Sequence, residues 1–216
     1  MARELQTSAV MNKIIKYKFS SLVLSIFCVG SGVHAQVQSQ NHHRPNQFRQ
    51  VSPLIYAGGK PTPSDLDYLR AIGVKTIINL EGGEYTNWPI VNKELLKIQP
   101  GESPESIKFE TDLAKQLGMT ELSLPLSALR MTEENEQNVI KAVAILGTTK
   151  EPVYVHCHYG IDRTGLIISV FRVIYQNESK EKVLQDWEKL RHTRQTSFLS
   201  GQLVTYFINR YVGISR

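Results

Sequence analysis

The 216-residue sequence has few cysteines and no apolar run long enough to cross a bilayer comfortably. Its two cysteines, Cys28 and Cys157, exclude a small fold held together by disulfides. Charged residues make up 21% of the chain, which excludes a polytopic membrane protein, and hydrophobic residues make up 41%, which excludes a wholly disordered one. The length fits one ordinary globular domain.

Residues 1–35 have the features of a secretory signal peptide. Basic residues up to Lys18 precede the apolar stretch 21–30, and residues 33–35 place small side chains at the positions that signal peptidase reads. We therefore expect an exported protein, periplasmic or secreted, with no stable membrane insertion after cleavage. An uncleaved N-terminal membrane anchor or a buried helix is the alternative, and bulky Ile26 and Phe27 disfavour a lipoprotein site at Cys28.

The positive charge of the chain is concentrated in this leader. The formal net charge is +5, but four basic residues and one acidic residue lie in residues 1–35, so the remainder carries +2. The basic composition is therefore no sign of nucleic-acid binding. Cleavage would also remove Cys28 and leave Cys157 as a single thiol in an oxidising compartment, which calls for a chemical explanation.

The rest of the sequence divides into a linker and a domain. Residues 36–50 are polar and lack periodicity, so we expect a flexible linker, whose His42 and His43 have no third metal ligand nearby. Residues 51–216 form the expected domain. Its predicted strands cover 54–57, 74–80, 119–124 and 153–156. Its predicted helices cover 64–72 (capped by Ser64), 108–117, 132–146, 164–175, 180–191 and 201–211, with a short helix near 91–98. This alternation predicts an α/β fold with a mostly parallel central sheet flanked by helices.

The segment after the last predicted strand carries the chemistry. It reads His156-Cys157-His158-Tyr159-Gly160-Ile161-Asp162-Arg163-Thr164-Gly165 and leads into an apolar helix. Such a loop can turn several N–H groups inward beside a helix N-terminus and so form an anion cradle. Gly160 permits the tight turn, and Arg163 can hold two oxygens of a tetrahedral anion. The same positive field favours the thiolate of Cys157, which then faces a bound phosphate as a nucleophile.

The pattern His-Cys-x2-Gly-x2-Arg-Thr-Gly resembles the signature of the cysteine-dependent protein-tyrosine-phosphatase superfamily. Its six specified positions, at about one in twenty each, match by chance with a probability of order 10⁻⁸ per start point. Residues 54–61 and 73–80 look like the opening of compact bacterial dual-specificity phosphatases, and residues 191–203 resemble their closing segment. The resemblance implies a protein-tyrosine-phosphatase-like fold with the phosphate loop between the last core strand and a helix. It also implies phosphomonoester hydrolysis through a phosphocysteine, without metal or cofactor.

The proton donor for the leaving group departs from the family pattern. The family usually has an Asp on the loop before the long helix, but residues 125–131 contain neither Asp nor Glu, and Trp88-Pro89 lies too early in the chain. Asp162 is the first candidate, because some phosphoinositide phosphatases of the superfamily have an Asp directly before the loop arginine. The alternatives are an orienting role for Asp162, a donor role for Glu133 or Glu134, or a leaving group that needs no acid.

The surroundings of the loop are only modestly basic. Substrate contacts are expected from His158, Tyr159, Gly160, Ile161, Thr164, Lys60 and Arg130, with the Thr164 hydroxyl also hydrogen-bonding the sulfur. The leader together with the resemblance to protein-tyrosine-phosphatase-like phytases favours an inositol polyphosphate, inositol hexakisphosphate first. The alternatives are a dual-specificity or tyrosine phosphatase acting on a phosphoprotein and a non-catalytic phosphate-binding module; a sulfurtransferase would not need the Arg-Thr-Gly ending.

Overall fold

A computed structural model of the chain describes residues 43–82, 103–127, 132–192 and 205–210. Within these residues one sheet of five strands has the order β1-β2-β5-β3-β4. The strands are β1 (Arg49–Ser52), β2 (Ile55–Gly58), β3 (Thr76–Asn79), β4 (Thr120–Ser123) and β5 (Val153–His156). β1 pairs antiparallel with β2, and the other three pairings are parallel. The predicted fold class, a mostly parallel sheet flanked by helices, is confirmed.

Helices cover both faces of this sheet. They are α1 (Pro63–Ala71), α2 (Pro104–Gln116), α3 (Glu133–Thr148), α4 (Asp162–Gln176) and α5 (Lys180–His192), and residues 205–210 are helical as well. Neighbouring strand residues point to opposite faces. Ile77 packs with residues of α1 and α2, whereas Ile78 packs with residues of α3, α4 and α5.

The parallel strands end at one level. His156, the last residue of β5, is in register with Gly58 of β2 and with Asn79 of β3, and Asn79 is in register with Ser123 of β4. Every residue of β5 is buried. The connections that follow these strands therefore meet at one edge of the sheet, where α/β proteins bind their ligands.

The helix starts differ from prediction at two places. The N-cap of α1 is Thr62 rather than Ser64: the Thr62 hydroxyl accepts from the Asp65 amide at 3.3 Å, while the Thr62 amide donates to the Asp65 carboxylate at 2.8 Å. This reciprocal capping box places Ser64 inside the first turn. Helix α2 begins four residues before the predicted start because Ser103 caps it and Pro104 suits its first turn. Thr132 caps α3, as predicted.

The flexible linker predicted over residues 36–50 is wrong at its C-terminal end, where residues are part of the fold. Arg49 and Gln50, assigned to it from sequence, lie in the edge strand β1. Before them, the ring of Phe48 packs against Tyr56 and Tyr68, with centroid distances of 5.8 and 5.4 Å. The pattern missed this strand because a solvent-facing edge strand lacks the apolar alternation of a buried one.

Several predictions lie outside the described residues. They concern the leader over residues 1–35, the linker up to residue 42, the helix near 91–98 and the role of Arg130. Of the predicted last helix, residues 205–210 are described and helical. Across the described parts of the chain, no helix is long and apolar enough to span a membrane.

Candidate active site

The predicted loop joins the end of β5 to the start of α4. Cys157 directly follows the strand, is 3% exposed, and packs among the apolar residues of the α3–α5 face. Arg163 is the second residue of α4 and is also buried, and its Nη1 donates to the carbonyl of Leu80 at 3.3 Å. Ile161, the N-cap of α4, makes no side-chain cap hydrogen bond. The structure thus brings the predicted thiol and guanidinium to the two ends of one short loop at a helix N-terminus.

Three carbonyl groups of the loop accept hydrogen bonds from residues outside the loop. The carbonyl of His158 accepts from the Lys60 amide at 3.1 Å, and that of Gly160 accepts from Arg49 Nη1 at 3.1 Å. The carbonyl of Ile161 accepts from Trp187 Nε1 at 3.3 Å. The described peptide bonds are not cis, so the N–H of each following residue points the opposite way. Outward carbonyls therefore aim three loop amides inward, as an anion cradle requires.

Glycine is required where the loop meets β2. Gly160 has a φ of +75°, and a Cβ there would lie 2.3 Å from the carbonyl carbon of Gly58. The Thr164 hydroxyl donates to the Gly58 carbonyl at 3.3 Å. The backbone after β2 thus serves as a platform for the loop. The expected hydrogen bond from Thr164 to the sulfur is not the one observed, because the hydroxyl proton is directed to Gly58.

Helix α5 packs against the start of α4. A Cβ at Gly165 would lie 2.5 Å from the indole of Trp187, so the absence of a side chain at this position lets the indole approach. The guanidinium of Arg191 lies 4.7 Å from the centroid of the same indole ring, and its Nε lies 3.9 Å from the carboxylate of Asp162. Asp162 therefore has a cationic neighbour, the arrangement expected for a carboxylate that orients the loop.

Lys60 and His158 share one buried carboxylate. Lys60 Nζ donates to Glu81 at 2.6 Å, and the other oxygen of Glu81 lies 3.2 Å from His158 Nδ1. Burial raises the pKa of the Glu81 carboxyl, but the hydrogen bonds to His158 and Lys60 lower it more, so the group is held below its usual value. A second carboxylate, Glu110 of α2, lies 3.5 Å from Lys60 Nζ. The charge of Lys60 is thus largely compensated within the protein.

Glu110 also contacts the residue that precedes the nucleophile candidate. Its Oε1 lies 2.8 Å from Nε2 of His156, and both side chains are almost fully buried. Burial lowers the pKa of His156, but Glu110, with Glu81 and Glu121 farther off, raises it more, so the net shift is upward. A continuous set of contacts joins five ionisable side chains, which we call the flanking network because His156 and His158 stand on either side of Cys157: Glu81, Lys60, Glu110, His156 and His158.

The other predicted side chains have more limited roles. The Ile161 side chain is fully buried, so only its main chain can reach a ligand. The ring of Tyr159 packs edge-on against His158, with centroids 4.4 Å apart. Glu133 and Glu134 are exposed in the first turn of α3. His43 lies 3.1 Å from the Asp65 carboxylate, and the described residues contain no group of three or more side chains suited to hold a metal ion.

A cavity of about 440 Å³ adjoins the loop on the α1 and α2 side. His158, Tyr159 and Lys60 line it at the loop, and the apolar side chains of Leu66, Leu113 and Phe109 line it farther out. Phe109 is 61% exposed, unusual for a large apolar side chain. A group attached to a phosphate in the cradle can therefore meet an aromatic and apolar wall here.

Sequence reasoning missed Arg49, Trp187, Glu81 and Glu110. Arg49 and Trp187 lie 111 and 26 residues from the loop carbonyls they bind, so no local pattern connects them. For Glu110, the sequence contains one feature that could have predicted its burial. It lies four residues before buried Ala114 on α2, which places a carboxylate on the apolar face of an amphipathic helix.

Comparison with known proteins agrees with this geometry. A family model described as "DSP-PTPase phosphatase fused to NAD+ Kinase" matches residues 32–205. The dual specificity protein phosphatase TpbA of Pseudomonas aeruginosa is 22% identical over 175 residues, which cover 77% of this chain and 68% of that protein. The inositol diphosphatase DSP3 of Arabidopsis thaliana is 24% identical over 146 residues, covering 67% and 62%.

The fold is also shared with solved structures. The core catalytic domain of the PP-IP phosphatase SIW14 from S. cerevisiae superposes with a TM-score of 0.56 at 20% identity, covering 79% of this chain and 91% of that one. The family match spans most of the sequence, including the loop, and confirms the predicted resemblance. The chain belongs to the DSP-PTPase family of cysteine-dependent phosphatases, and it is a phosphoric monoester hydrolase.

Proposed function

We propose that Cys157 is the nucleophile and that Arg163, with the inward amides of the loop, holds the phosphate under attack. The thiolate attacks phosphorus, the S–P bond forms and the ester P–O bond breaks, and the leaving oxygen takes up a proton. Water then attacks phosphorus, the S–P bond breaks, and inorganic phosphate and the thiolate are released. The observation that carries this proposal is the outward anchoring of three loop carbonyls by Lys60, Arg49 and Trp187.

Asp162 is the first candidate for the proton donor. It begins α4 directly before Arg163. Its contact with Arg191, at 3.9 Å, suits the orienting role as well, so a variant has to separate the two roles. Asp162→Asn removes the acid and keeps the shape. If Asp162 donates the proton, the variant loses activity on alkyl phosphates much more than on p-nitrophenyl phosphate, whose leaving group needs little protonation. An equal loss on both substrates assigns Asp162 the orienting role instead.

An inositol polyphosphate, with inositol hexakisphosphate first, is the proposed substrate. The support is the leader expected over residues 1–35, which suits phosphate scavenging outside the cytoplasm, and the relative named as an inositol diphosphatase. The compensated charge of Lys60 limits how many further phosphates the described site can neutralise. A substrate of this class therefore relies mainly on the cradle and on Arg163.

A phosphotyrosyl or other aryl phosphate is the second candidate. The cavity beside the loop favours it, because Phe109 and Tyr159 offer aromatic surface to a ring attached to the bound phosphate. The relative TpbA, named a dual specificity protein phosphatase, is also seen in a structure with pTyr. Phe109→Ala would then raise KM for aryl phosphates and leave KM for inositol hexakisphosphate unchanged.

One experiment separates the two substrate classes. Phosphate release is measured from inositol hexakisphosphate and from a phosphotyrosine peptide, with Cys157→Ser as the control. The proposal predicts the higher kcat/KM on the inositol ester and no release by Cys157→Ser on either substrate. A higher value on the peptide assigns the aryl class, and release by Cys157→Ser overturns the proposed chemistry.

Export is proposed from the leader alone. Expression of the full chain in a bacterial host, followed by fractionation and N-terminal sequencing of the product, tests it. A periplasmic or secreted product that begins near residue 36 supports export and cleavage. A product that keeps its first residues in the membrane fraction supports the anchor instead.

A further inference from the structure

A second cavity lies behind the phosphate loop, on the face of the sheet that α4 and α5 cover. Its volume is about 330 Å³. Arg49, Ser169, Arg172 and Lys189 line it, and Asp186 is the acidic side chain among its lining residues. Three cations line one small space, but Arg172 is already paired with Glu178 and Asp186. The positive charge that a bound anion can neutralise therefore comes from Arg49 and Lys189.

Arg49 lines this cavity, is half-buried and uses only one of its nitrogens in hydrogen bonds to described protein groups. Its Nη1 donates to the carbonyls of Gln47 and Gly160, at 3.0 and 3.1 Å. Within the described parts of the chain, neither its Nε nor its Nη2 has a hydrogen-bond acceptor, and no carboxylate pairs with the guanidinium. Burial is the largest influence on the pKa of the Arg49 guanidinium and lowers it; Cys157 and Tyr154 raise it, Arg172 lowers it, and the net shift is downward. A bound anion would offset this cost of burial.

The remaining groups of the cavity supply further donors. Ser169 is 3% exposed and lines the cavity, and its hydroxyl makes no hydrogen bond within the described residues. Lys189 extends from α5, with its ammonium 3.8 Å from Asp186, too far for a hydrogen bond. Arg172 is fixed in place by Glu178 and Asp186, at 2.7 and 2.8 Å. A rigid guanidinium, a hydroxyl and a movable ammonium beside Arg49 match the oxygens of a tetrahedral oxyanion.

We propose that this rear cavity, lined by Arg49, Ser169, Arg172 and Lys189, binds a second oxyanion of the phosphate class, separate from the cradle at Cys157. Inorganic phosphate, the product of the enzyme's own reaction, is the simplest ligand of this class. The site does not depend on the substrate or on the residue roles proposed above.

Arg49 connects the rear cavity to the cradle. The same guanidinium that faces the cavity holds the Gly160 carbonyl of the loop, at 3.1 Å. An anion bound in the rear cavity attracts the Arg49 guanidinium and so shifts the hydrogen bond that positions the loop amides. Phosphate bound there is therefore expected to lower kcat, whereas phosphate in the cradle only competes with substrate.

The direct test counts phosphate sites by isothermal titration calorimetry on wild type, two site variants and one control variant. Wild type binds two phosphates, the double variant Ser169→Ala/Lys189→Gln retains the cradle site only, and Arg163→Ala retains the rear site only. Loss of a charge-assisted contact weakens the rear site about tenfold or more. Lys150→Gln, an exposed lysine before β5 at the opposite end of the sheet, is the matched control and binds as wild type does. Thermal unfolding of each variant verifies that it is folded.

The kinetic test uses phosphate as an inhibitor of p-nitrophenyl phosphate hydrolysis. Wild type shows mixed inhibition, with a fall in kcat, and Ser169→Ala/Lys189→Gln shows purely competitive inhibition. The same phosphate stoichiometry and the same inhibition pattern in wild type and double variant would overturn the rear site. A double variant that loses one phosphate while Arg163→Ala loses none supports the rear site and overturns the cradle, so the two proposals fail separately.

Discussion

Oε1 of Glu110 lies 2.8 Å from Nε2 of His156, and the two side chains are 3% and 0% exposed. The contact joins helix α2 to the last residue of β5, immediately before Cys157. Buried ion pairs contribute little net stability, but removal of one partner leaves an uncompensated charge. The flanking network therefore acts mainly to fix the strand end from which the phosphate loop departs.

Replacement of Glu110 by Gln is expected to destabilise the protein by about 3 kcal/mol near pH 6, since it removes one partner of a buried pair. Glu110 raises the pKa of His156 in the folded protein above its usual value near 6.5. Stability from this shift is fully present below about pH 6.5 and is lost as pH rises through the folded pKa. The destabilisation should thus shrink toward high pH, as measured by urea unfolding at several pH values.

Glu105→Gln is the control for this prediction, because Glu105 is an exposed carboxylate in the first turn of the same helix. It should change the free energy of unfolding by no more than about 0.5 kcal/mol. A pH-independent loss of stability in Glu110→Gln would contradict the paired imidazolium.

Substitution of Gly160 by Ala should lower kcat/KM about a hundredfold, because a misplaced cradle no longer aligns the reacting atoms. The new Cβ would lie 2.3 Å from backbone of Gly58, so the loop must shift. Gly118 is the matched control: its φ is also +75°, and a Cβ there meets no atom within 4 Å. Gly118→Ala should cost about 1 kcal/mol of stability and leave kcat/KM unchanged. Equal activity in both variants would contradict the close fit of the loop on β2.

Trp187→Phe tests the anchor of the Ile161 carbonyl. It keeps an aromatic ring against Gly165 but removes the N–H that donates at 3.3 Å, so stability should fall by about 1 kcal/mol beyond the change in packing. A smaller kcat with little change in KM is expected, because the loop amides lose alignment at the reacting phosphate. Steady-state kinetics with p-nitrophenyl phosphate measures both constants, and an unchanged kcat would show that the anchor is dispensable.

Lys60→Met should affect stability more than substrate binding. It removes the lysine shared by the buried carboxylates of Glu81 and Glu110 and leaves them only their histidine contacts, at a cost of about 2 kcal/mol. The double variant Lys60→Met/Glu81→Gln should recover part of that loss, and Lys75→Met, at an exposed lysine, serves as the control. A large rise in KM with unchanged unfolding would instead establish Lys60 as a substrate ligand.

The sequence was sufficient for the parts of the structure that depend on local pattern. The alternation of apolar strands and amphipathic helices predicted the four parallel strands of the sheet, and the spacing of Cys157, Gly160 and Arg163 located the loop between β5 and α4. Both signals are periodic or contiguous, so a single sequence carries them.

The parts that were missed depend on contacts between distant residues. Arg49 reaches Gly160 across 111 residues from a strand with no apolar alternation. Glu81 and Glu110 were not predicted, because carboxylates are usually exposed. They are buried here because three side chains contact them: Lys60, His156 and His158. The choice of Thr62 over Ser64 as a helix cap was decided by the hydrogen bond that the Thr62 amide donates back to the Asp65 carboxylate.

The central claim is that Cys157 carries the phosphoryl group during turnover. The most direct measurement is rapid quenching of the enzyme in denaturant at alkaline pH during hydrolysis of ³²P-labelled substrate, followed by identification of the labelled residue. The account predicts an S-phosphoryl group on Cys157 in wild type, stable at alkaline pH and lost in acid, none in Cys157→Ser, and release of the label as phosphate on the timescale of turnover. Turnover by Cys157→Ser, or label on any other residue, would contradict it.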